Sequence, residues 1–381
     1  MGRHVSQAPA IEALPNGLAN LADFEAAAKA RVSESAWAYL NGGAADEHTL
    51  RANRAAWDAM KLHPRVLRDL SGGHTRVTLL GRELLHPVLL APIAYQRLFH
   101  ADGERAVAHA AAAQGAGIVL SAQASVPMED VAAPMLADPT AGPPWFQLYW
   151  RDDREFMRAL LKRIEAAGYQ ALVLTVDAPV HGARDRERRA GFKLPDDIRA
   201  VNLGGLKKPL DLQPGQSALF DGLMPRAATW REVDWLRAES KLPLLLKGVT
   251  HADDAREALA RGVTGLIVSN HGGRTLDTIA ATAELLPPLR AALGPDVPLL
   301  VDGGIRRGTD VLKAMALGAN AVLLGRPYVH ALAASGALGV AHALRLLRDE
   351  LEIAMALCGC KTLADAGPAL FWHGNTHPRT P

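Results

Sequence analysis

The feature that most limits how this chain can fold is a repeat of short apolar runs, each closed by a polar residue or a glycine. They fall at 87–91 before Pro92, 117–120 before Ser121, 145–149 holding Gln147, and 171–174 before Thr175 and Asp177. The pattern returns at 242–246 before Lys247, 266–268 before Ser269, 298–301 before Asp302, and 321–324 before Gly325. None alternates apolar with polar positions, as expected for strands buried on both faces. Stretches with helical periodicity separate most of them, at 104–114, 154–167, 252–261, 276–293 and 309–317. Eight strand–helix repeats predict an α/β fold, a (β/α)8 barrel. A doubly wound open sheet is the runner-up, weakened because no G-x-G-x-x-G follows the first strands.

Two regions stand outside the repeat. The first eighty residues carry one expected helix at 21–41, stopped by Gly42-Gly43, and another at 47–60. They are expected to cap the barrel (residues 1–80) within a single domain spanning 1–381. The connection at 180–240 is far longer than a strand–helix loop needs and precedes a helix near 230–237, so it reads as a lid over a ligand. Its part at 217–224 is mildly apolar. Lys207, Lys208, Asp211, Asp221 and Arg226 give the segment charge, which favours a soluble protein over a membrane-bound one.

Composition bounds the function class. Hydrophobic residues make 49%, charged residues 22%, and the net charge is +2, which gives no global bias toward nucleic acid. Aromatics at 5% are too sparse for stacking platforms on single-stranded nucleic acid. The only cysteines, Cys358 and Cys360, form no disulfide framework or zinc set, so a cytoplasmic, reducing location and no metal are expected. The start, Met1-Gly2-Arg3-His4-Val5-Ser6, matches a myristoylation pattern that is short enough to arise by chance. The end, Arg379-Thr380-Pro381, is no peroxisomal address. The uncharged stretch 327–344 carries Pro327, His330 and His342 and reads as a buried helix after a turn.

In a barrel of this type the strands' carboxyl ends converge on one mouth. Ser269-Asn270-His271-Gly272-Gly273-Arg274 therefore delivers a base and a guanidinium to that rim. A lone histidine would more often be a hydrogen-bonded rim residue, but Asn270, Gly272, Gly273 and Arg274, for which an apolar strand end has no packing use, favour chemistry. Asp177 is the best candidate to hold the imidazole's tautomer; His181 and His251 are minor alternatives. Lys247, Arg274, Arg306, Arg326 and Arg184 make the mouth positive, suiting a phosphorylated ligand and a carboxylate substrate. The loops Asp302-Gly303-Gly304-Ile305-Arg306-Arg307-Gly308 and Gly325-Arg326-Pro327 occupy the usual phosphate position of barrels. Either alone reads equally well as a tight turn; the pair favours phosphate.

The run 269–277 resembles the signature of the FMN-dependent α-hydroxy acid oxidase and dehydrogenase family. So do Ala91-Pro92-Ile93-Ala94, Phe146-Gln147-Leu148-Tyr149, Leu174-Thr175-Val176-Asp177, Leu246-Lys247-Gly248-Val249, and the two phosphate-type loops, in family order. The likeness runs from about residue 21 to about 366. It implies that His271 is the base, Asp177 its orienting carboxylate, and Arg184 and Arg274 the carboxylate clamp, helped by Tyr39. Tyr149 would bond the substrate near its hydroxyl. Lys247 would sit beside the flavin's N1 and C2 carbonyl. Pro92, Ile93, Ala94, Ser121, Gln147, Thr175 and Ser269 match flavin contacts, and Asp302, Gly303, Gly304, Arg306, Gly325 and Arg326 match the ribityl and phosphate positions.

The chemistry suits those roles: oxidising a 2-hydroxy acid needs a base near neutrality and an electron sink. His271 accepts a proton whether the α-hydrogen leaves as hydride or proton. Tyr95 and Gln123 should line the pocket beyond the α-carbon, where a bulky aromatic would be usual at position 123. A lactate-like or somewhat larger L-2-hydroxy acid is expected as substrate. Oxygen is the expected acceptor, from Ala94 at a flavin-facing position where the resemblance implies alanine or glycine, with a quinone or cytochrome as the alternative. The resemblance also implies a homotetramer. Two rivals are a non-catalytic barrel binding a phosphorylated ligand and an isomerase using reduced FMN; the second leaves Arg184 and Arg274 without a carboxylate to serve.

Overall fold

The computed structural model describes residues 13–204 and 212–372. The sequence readings at 1–6 and 379–381, and those on Lys207, Lys208 and Asp211, lie outside the described residues. Eight parallel strands close a barrel: β1 Val88–Leu90, β2 Gly117–Ser121, β3 Pro144–Leu148, β4 Leu172–Thr175, β5 Leu244–Lys247, β6 Gly265–Val268, β7 Leu299–Val301 and β8 Ala321–Leu324. They pair in chain order, with β8 closing onto β1 through Val322–Val88 and Leu324–Leu90. The expected barrel is the one observed, and the open sheet is excluded.

Every barrel strand except its loop ends is buried on both faces, which is why the sequence shows no alternation there. Period-two geometry still sorts the side chains. Leu89, Val119, Trp145, Val173, Leu245, Ile267, Leu300 and Leu323 form an inner core. Their neighbours along each strand, such as Ile118, Phe146, Leu174 and Leu266, join the outer core beneath the helices. Two residues beyond the inner layer come Ala91, Ser121, Gln147, Thr175, Lys247, Ser269, Asp302 and Gly325. Parity alone thus carries seven of the expected cofactor or rim positions to the inside of the mouth.

Several expectations need correction. The helix at 21–41 is two helices, Leu21–Lys29 and Glu34–Asn41, because Ser33 caps the second by accepting from the Ala36 N–H. The helix expected from 276 begins at Thr282. Residues 276–281 are loop, and the Asp277 carboxylate instead accepts from the backbone N–H of His48 and Thr49, where helix His48–Ala59 starts. Also unread were helix Met128–Ala137, which contains Pro134, and the antiparallel pair Val77–Leu79 and Arg82–Leu84. That hairpin turns on Leu80 and Gly81, both with positive φ, and puts Leu79 and Leu84 into the inner core. Arg82 ties it to Ala141 O at 2.6 Å and Gln170 at 2.9 Å, just before β3 and β4, so it plugs the floor.

The 180–240 connection holds helix Asp185–Arg189, a π-helical turn Ala218–Leu223 and a 3-10 turn Met224–Arg226 before helix Trp230–Glu239. After β8, helix Arg326–Cys358 is long and apolar enough to cross a membrane. It is largely buried against the barrel and breaks at Ser335 and Gly336, in keeping with the expected buried helix.

Candidate active site

At the inside of the mouth the side chains are already bonded to one another. Gln147 Nε2 donates to Thr175 Oγ1 at 3.0 Å, next to the register pairs Ser121–Gln147 and Thr175–Lys247. Lys247 Nζ donates to Ser269 Oγ at 2.7 Å and pairs with Asp302 Oδ2 at 2.9 Å. Burial alone would push the Lys247 ammonium's pKa down, but Asp302 and Asp177 outweigh it and raise it. Lys247 is thus a held positive charge at neutral pH.

His271, Gly272 and Gly273 all adopt positive φ, which lifts the chain off β6 and turns it. Histidine pays strain for that conformation, a cost found where position matters. Asn270 anchors the turn from below. It exchanges amide hydrogen bonds of 2.8 Å with Asn53 in helix His48–Ala59 and accepts from the Gly273 N–H at 3.2 Å. The sequence reading saw no packing use for Asn270; its use is this reciprocal pair. Asn53 was missed because its partner lies 217 residues away, and no local pattern joins them.

His271 Nδ1 lies 2.9 Å from Asp177 Oδ1, so the expected partner is the observed one. Burial pushes the Asp177 carboxyl up, but the His271 imidazole and Lys247 outweigh that and hold it below its usual range. An ionised carboxylate only accepts, so Nδ1 carries the proton and Nε2 keeps the lone pair. Burial lowers the His271 pKa, with Lys247 and Arg274 adding to it and Asp177 opposing. The imidazole is therefore neutral at pH 7, a state in which it can accept a proton. Gly248, at φ +102°, allows the close approach: a Cβ there would sit 2.4 Å from Asp177 Cβ.

Arg184 and Arg274 come together through their backbones. A Cβ on Gly182 would fall 2.2 Å from Thr275 O, so only glycine lets the two loops touch, and Arg184 Nε reaches Arg274 O at 3.5 Å. Arg274 donates to Gly42 O at 2.7 Å and lies over the Tyr39 ring at 5.4 Å. Burial, then Arg184, bring its pKa down to about 10, so it stays charged. The Tyr39 phenol is pushed up to about 12 by burial. Burial and Asp177 raise that of Tyr149 well above the ordinary 10. Both phenols remain donors. Tyr39 stacks on Phe192 at 4.5 Å, a contact the sequence did not announce. Tyr95 stands 6.5 Å from the Tyr39 ring, and its N–H donates to Gln123 O at 3.1 Å, so the two expected pocket residues are tied together.

The phosphate-type loops differ. After β7, Asp310 Oδ2 already accepts from the N–H of Arg306 and of Arg307 at 2.9 Å each. Gly304 is required there by packing, since a Cβ would meet Asn53 O at 2.2 Å. After β8, Gly325 has open space at its Cβ position and begins a helix with no side-chain cap. Arg326 donates to the carbonyls of Leu40, Gly42 and Gly272. Burial, then Arg274 and Arg306, push its pKa down to about 9. Among the described residues neither Arg306 nor Arg326 has a carboxylate at ion-pair distance. Half-buried cations without counter-ions mark where a ligand's anion belongs. Asp302 Oδ1 is also buried without a partner, as a ligand-facing acceptor would be. These features fit the flavin mononucleotide that the motifs imply: cations and a free helix N-terminus for the phosphate, a free carboxylate oxygen for a ribityl hydroxyl. Pro92, Ile93 and Ala94 follow β1 on the same rim, half-buried. His251 serves otherwise, capping helix Ala252–Ala260 by accepting from the Asp253 N–H at 3.2 Å.

Comparison with known proteins agrees with this geometry. The family model described as FMN-dependent dehydrogenase matches residues 28–373. An L-lactate oxidase from Roseobacter sp. (strain GAI101) is 49% identical, with 94% of this chain and 96% of the relative covered. Glycolate oxidase 1 from Zea mays is 42% identical over 91% of this chain and 94% of its own. A crystal structure of mandelate oxidase with (S)-2-phenylpropionate superposes with a TM-score of 0.82 at 42% identity, covering 93% of this chain and 98% of the other. With base, clamp, phosphate-type loop and sequence likeness in agreement, the chain belongs to the FMN-dependent dehydrogenase family.

Proposed function

We propose that this protein oxidises an L-2-hydroxy acid, lactate-like or somewhat larger, to the 2-oxo acid, with oxygen reduced to hydrogen peroxide. The observation that carries the reading is the 2.9 Å His271–Asp177 pair on the same rim as the adjoining Arg184 and Arg274. Two guanidiniums grip the substrate carboxylate and fix the α-carbon, and Tyr39 and Tyr149 donate hydrogen bonds beside them. His271 Nε2 takes the hydroxyl proton, and Asp177 stabilises the imidazolium that results. FMN, when bound, supplies the sink for the two electrons that leave the α-carbon. Lys247, held by Asp302 and Ser269, offsets negative charge at that sink. Ser121, Gln147 and Thr175 are assigned to the ring edge, and Gly303, Arg306, Gly325 and Arg326 to the ribityl phosphate.

The acceptor and substrate rest on likeness: relatives at 49% and 48% identity are named L-lactate oxidase. Tyr95 and Gln123 are assigned to the pocket wall that reads the substrate's side chain. Two further proposals go with the reading. A homotetramer is the assembly that the family resemblance suggests. A cytoplasmic location suits the two buried free thiols, Cys358 and Cys360. The deciding experiment is anaerobic addition of lactate, glycolate and mandelate to the yellow protein, followed by air. Bleaching by lactate and rapid recovery in air are expected. A spectrum indifferent to every 2-hydroxy acid would end the proposal; bleaching with slow recovery in air would replace oxygen by another acceptor. Light scattering on the eluting protein tests the tetramer.

A further inference from the structure

The two guanidiniums assigned to the substrate carboxylate are not bare. Oε2 of Glu187 lies 3.5 Å from Nη1 of Arg184 and 3.7 Å from Nη2 of Arg274. A single carboxylate oxygen therefore bridges both arginines, which is the arrangement a 2-hydroxy acid would seek. The geometry is loose. Charge-assisted hydrogen bonds close to about 2.7–2.9 Å, and the molecule makes such bonds elsewhere: Lys247 meets Asp302 at 2.9 Å, and Arg54 holds Asp310 at 2.6 and 2.9 Å. Glu187 keeps its distance from both partners. Its side chain is 21% exposed, so it has a route to water.

Its place in the chain makes it movable. Glu187 sits on the five-residue helix Asp185–Arg189, inside the long connection after β4. The Arg186–Glu47 ion pair ties that helix to the capping region, the Ala45 N–H bonds Ala183 O just before it, and the chain beyond its end runs to Phe192, whose N–H donates to Glu187 O at 3.2 Å. Phe192 in turn stacks on Tyr39. A carboxylate and an aromatic ring of one short segment thus reach the mouth together, while no barrel strand holds either.

We propose that Glu187 is a placeholder anion: it offsets the paired arginines when no substrate is bound and competes with the substrate's carboxylate for them. The inference rests on the clamp reading of Arg184 and Arg274. Two like charges held side by side repel, and a nearby carboxylate offsets that repulsion at the cost of weakening any incoming anion. Glu187 therefore sets affinity for the acid and for the 2-oxo product, and leaves the chemical step to His271.

The test uses the FMN-loaded protein with Glu187→Gln, Glu187→Ala and Glu187→Asp. Steady-state kinetics with lactate gives KM and kcat, and calorimetric titration with pyruvate gives a Kd that needs no turnover. In the Gln and Ala variants, KM and the pyruvate Kd should both fall by about three- to tenfold, with kcat within about twofold of the parent. The Asp variant should stay nearer the parent. A rise in KM and Kd for Gln and Ala, restored by Asp, would make Glu187 a builder of the clamp and overturn the proposal; so would unchanged values. If no 2-hydroxy acid bleaches the unsubstituted protein, the functional reading itself has failed. That outcome is separable from failure of the Glu187 inference, which presupposes an active parent.

Discussion

The two ends of the barrel are made from the same eight strands and are opposite in kind. The floor is closed by apolar side chains: Leu79 and Leu84 of the hairpin join Leu89, Val119, Trp145 and Leu245 in one core, and Arg82 binds neutral oxygens of Ala141 and Gln170 from the outside. Two residues further along each strand, the mouth is lined by Gln147, Thr175, Lys247, Ser269 and Asp302, all buried and all polar. Burying polar and charged groups costs free energy that burying leucine returns. The mouth limits the cost by pairing its groups, but it leaves Asp302 Oδ1 and Asp177 Oδ2 without partners and Arg326 without a counter-ion. One end therefore carries stability and the other carries function. Substitutions at the two ends should separate accordingly.

The largest effect belongs at the mouth. Replacing His271 with Ala removes the base while its turn is kept by Asn270 and the two glycines, so kcat should fall by about 10²–10⁴-fold. The yellow colour and the melting temperature should persist, checked by absorbance and calorimetry. A variant that loses its colour or unfolds early would show that the mouth also carries stability, and the contrast would dissolve.

The floor should answer in the opposite sense. Trp145 is among the largest fully buried side chains and fills the barrel beneath Gln147. Trp145→Ala should cost about 3–5 kcal/mol of stability, read by denaturant unfolding. The Leu84→Ala variant, at the hairpin, should cost about 2–5 kcal/mol and leave kcat close to the parent's at a temperature where both are folded. A collapse of kcat in Leu84→Ala without loss of stability would put the floor in the machinery.

How much of this could be read beforehand follows from the same contrast. Local features were legible. Buried strands show as unbroken apolar runs, and the polar residue that closes each run, as at Ser121 and Lys247, or interrupts it, as at Gln147, is the one that enters the mouth. His271 and Arg274 stood out because such groups set among glycines at a strand end serve no core, Asp177 because it closes a buried run, and the clamp role of Arg184 came from the family resemblance. What escaped depends on partners remote in the chain. Asn53 with Asn270, and Asp277 with the helix start at His48, meet only after the barrel has closed. The hairpin's strands of three residues are too short to show a period, although Gly81 marked their turn. Pro134 hid helix Met128–Ala137, and the apolar Leu276, in fact exposed, extended the reading of helix Thr282–Leu293 too far back.

Those remote partners give a prediction between the extremes. Asn53→Ala would strip the buried Asn270 amide of its two 2.8 Å bonds and leave only the longer ones, to Ala280 O and from the Gly273 N–H, costing about 1–3 kcal/mol. It would also free the turn that carries His271. A fall in kcat of roughly tenfold to a hundredfold is expected, together with a lower melting temperature. Stability and activity should therefore be lost together here. Thr282, which donates to Asp302 O and whose N–H binds Asn53, belongs to the same brace and should show a milder version.

The smallest effect is a pH limb, and its position tests how the mouth balances its charges. Burial lowers the His271 pKa, Lys247 and Arg274 lower it further, and the Asp177 carboxylate pulls the other way without prevailing. The base works unprotonated, so kcat/KM should be flat through neutrality. It should fall on the acid side with an apparent pKa below the ordinary 6.5, by up to about tenfold per pH unit. Stability follows the same sign. A histidine whose folded pKa is depressed contributes stability that is present above about 6.5 and is lost as pH falls through the folded value, because the unfolded chain takes up the proton first. Asp177, also depressed in the fold, contributes stability present above its ordinary carboxylate range and lost only in stronger acid. Activity should therefore fade before the Asp177 contribution does. An activity limb centred above 6.5 would mean that Asp177 outweighs burial, placing the resting mouth with a protonated imidazole and removing the base on which the contrast between the two ends depends.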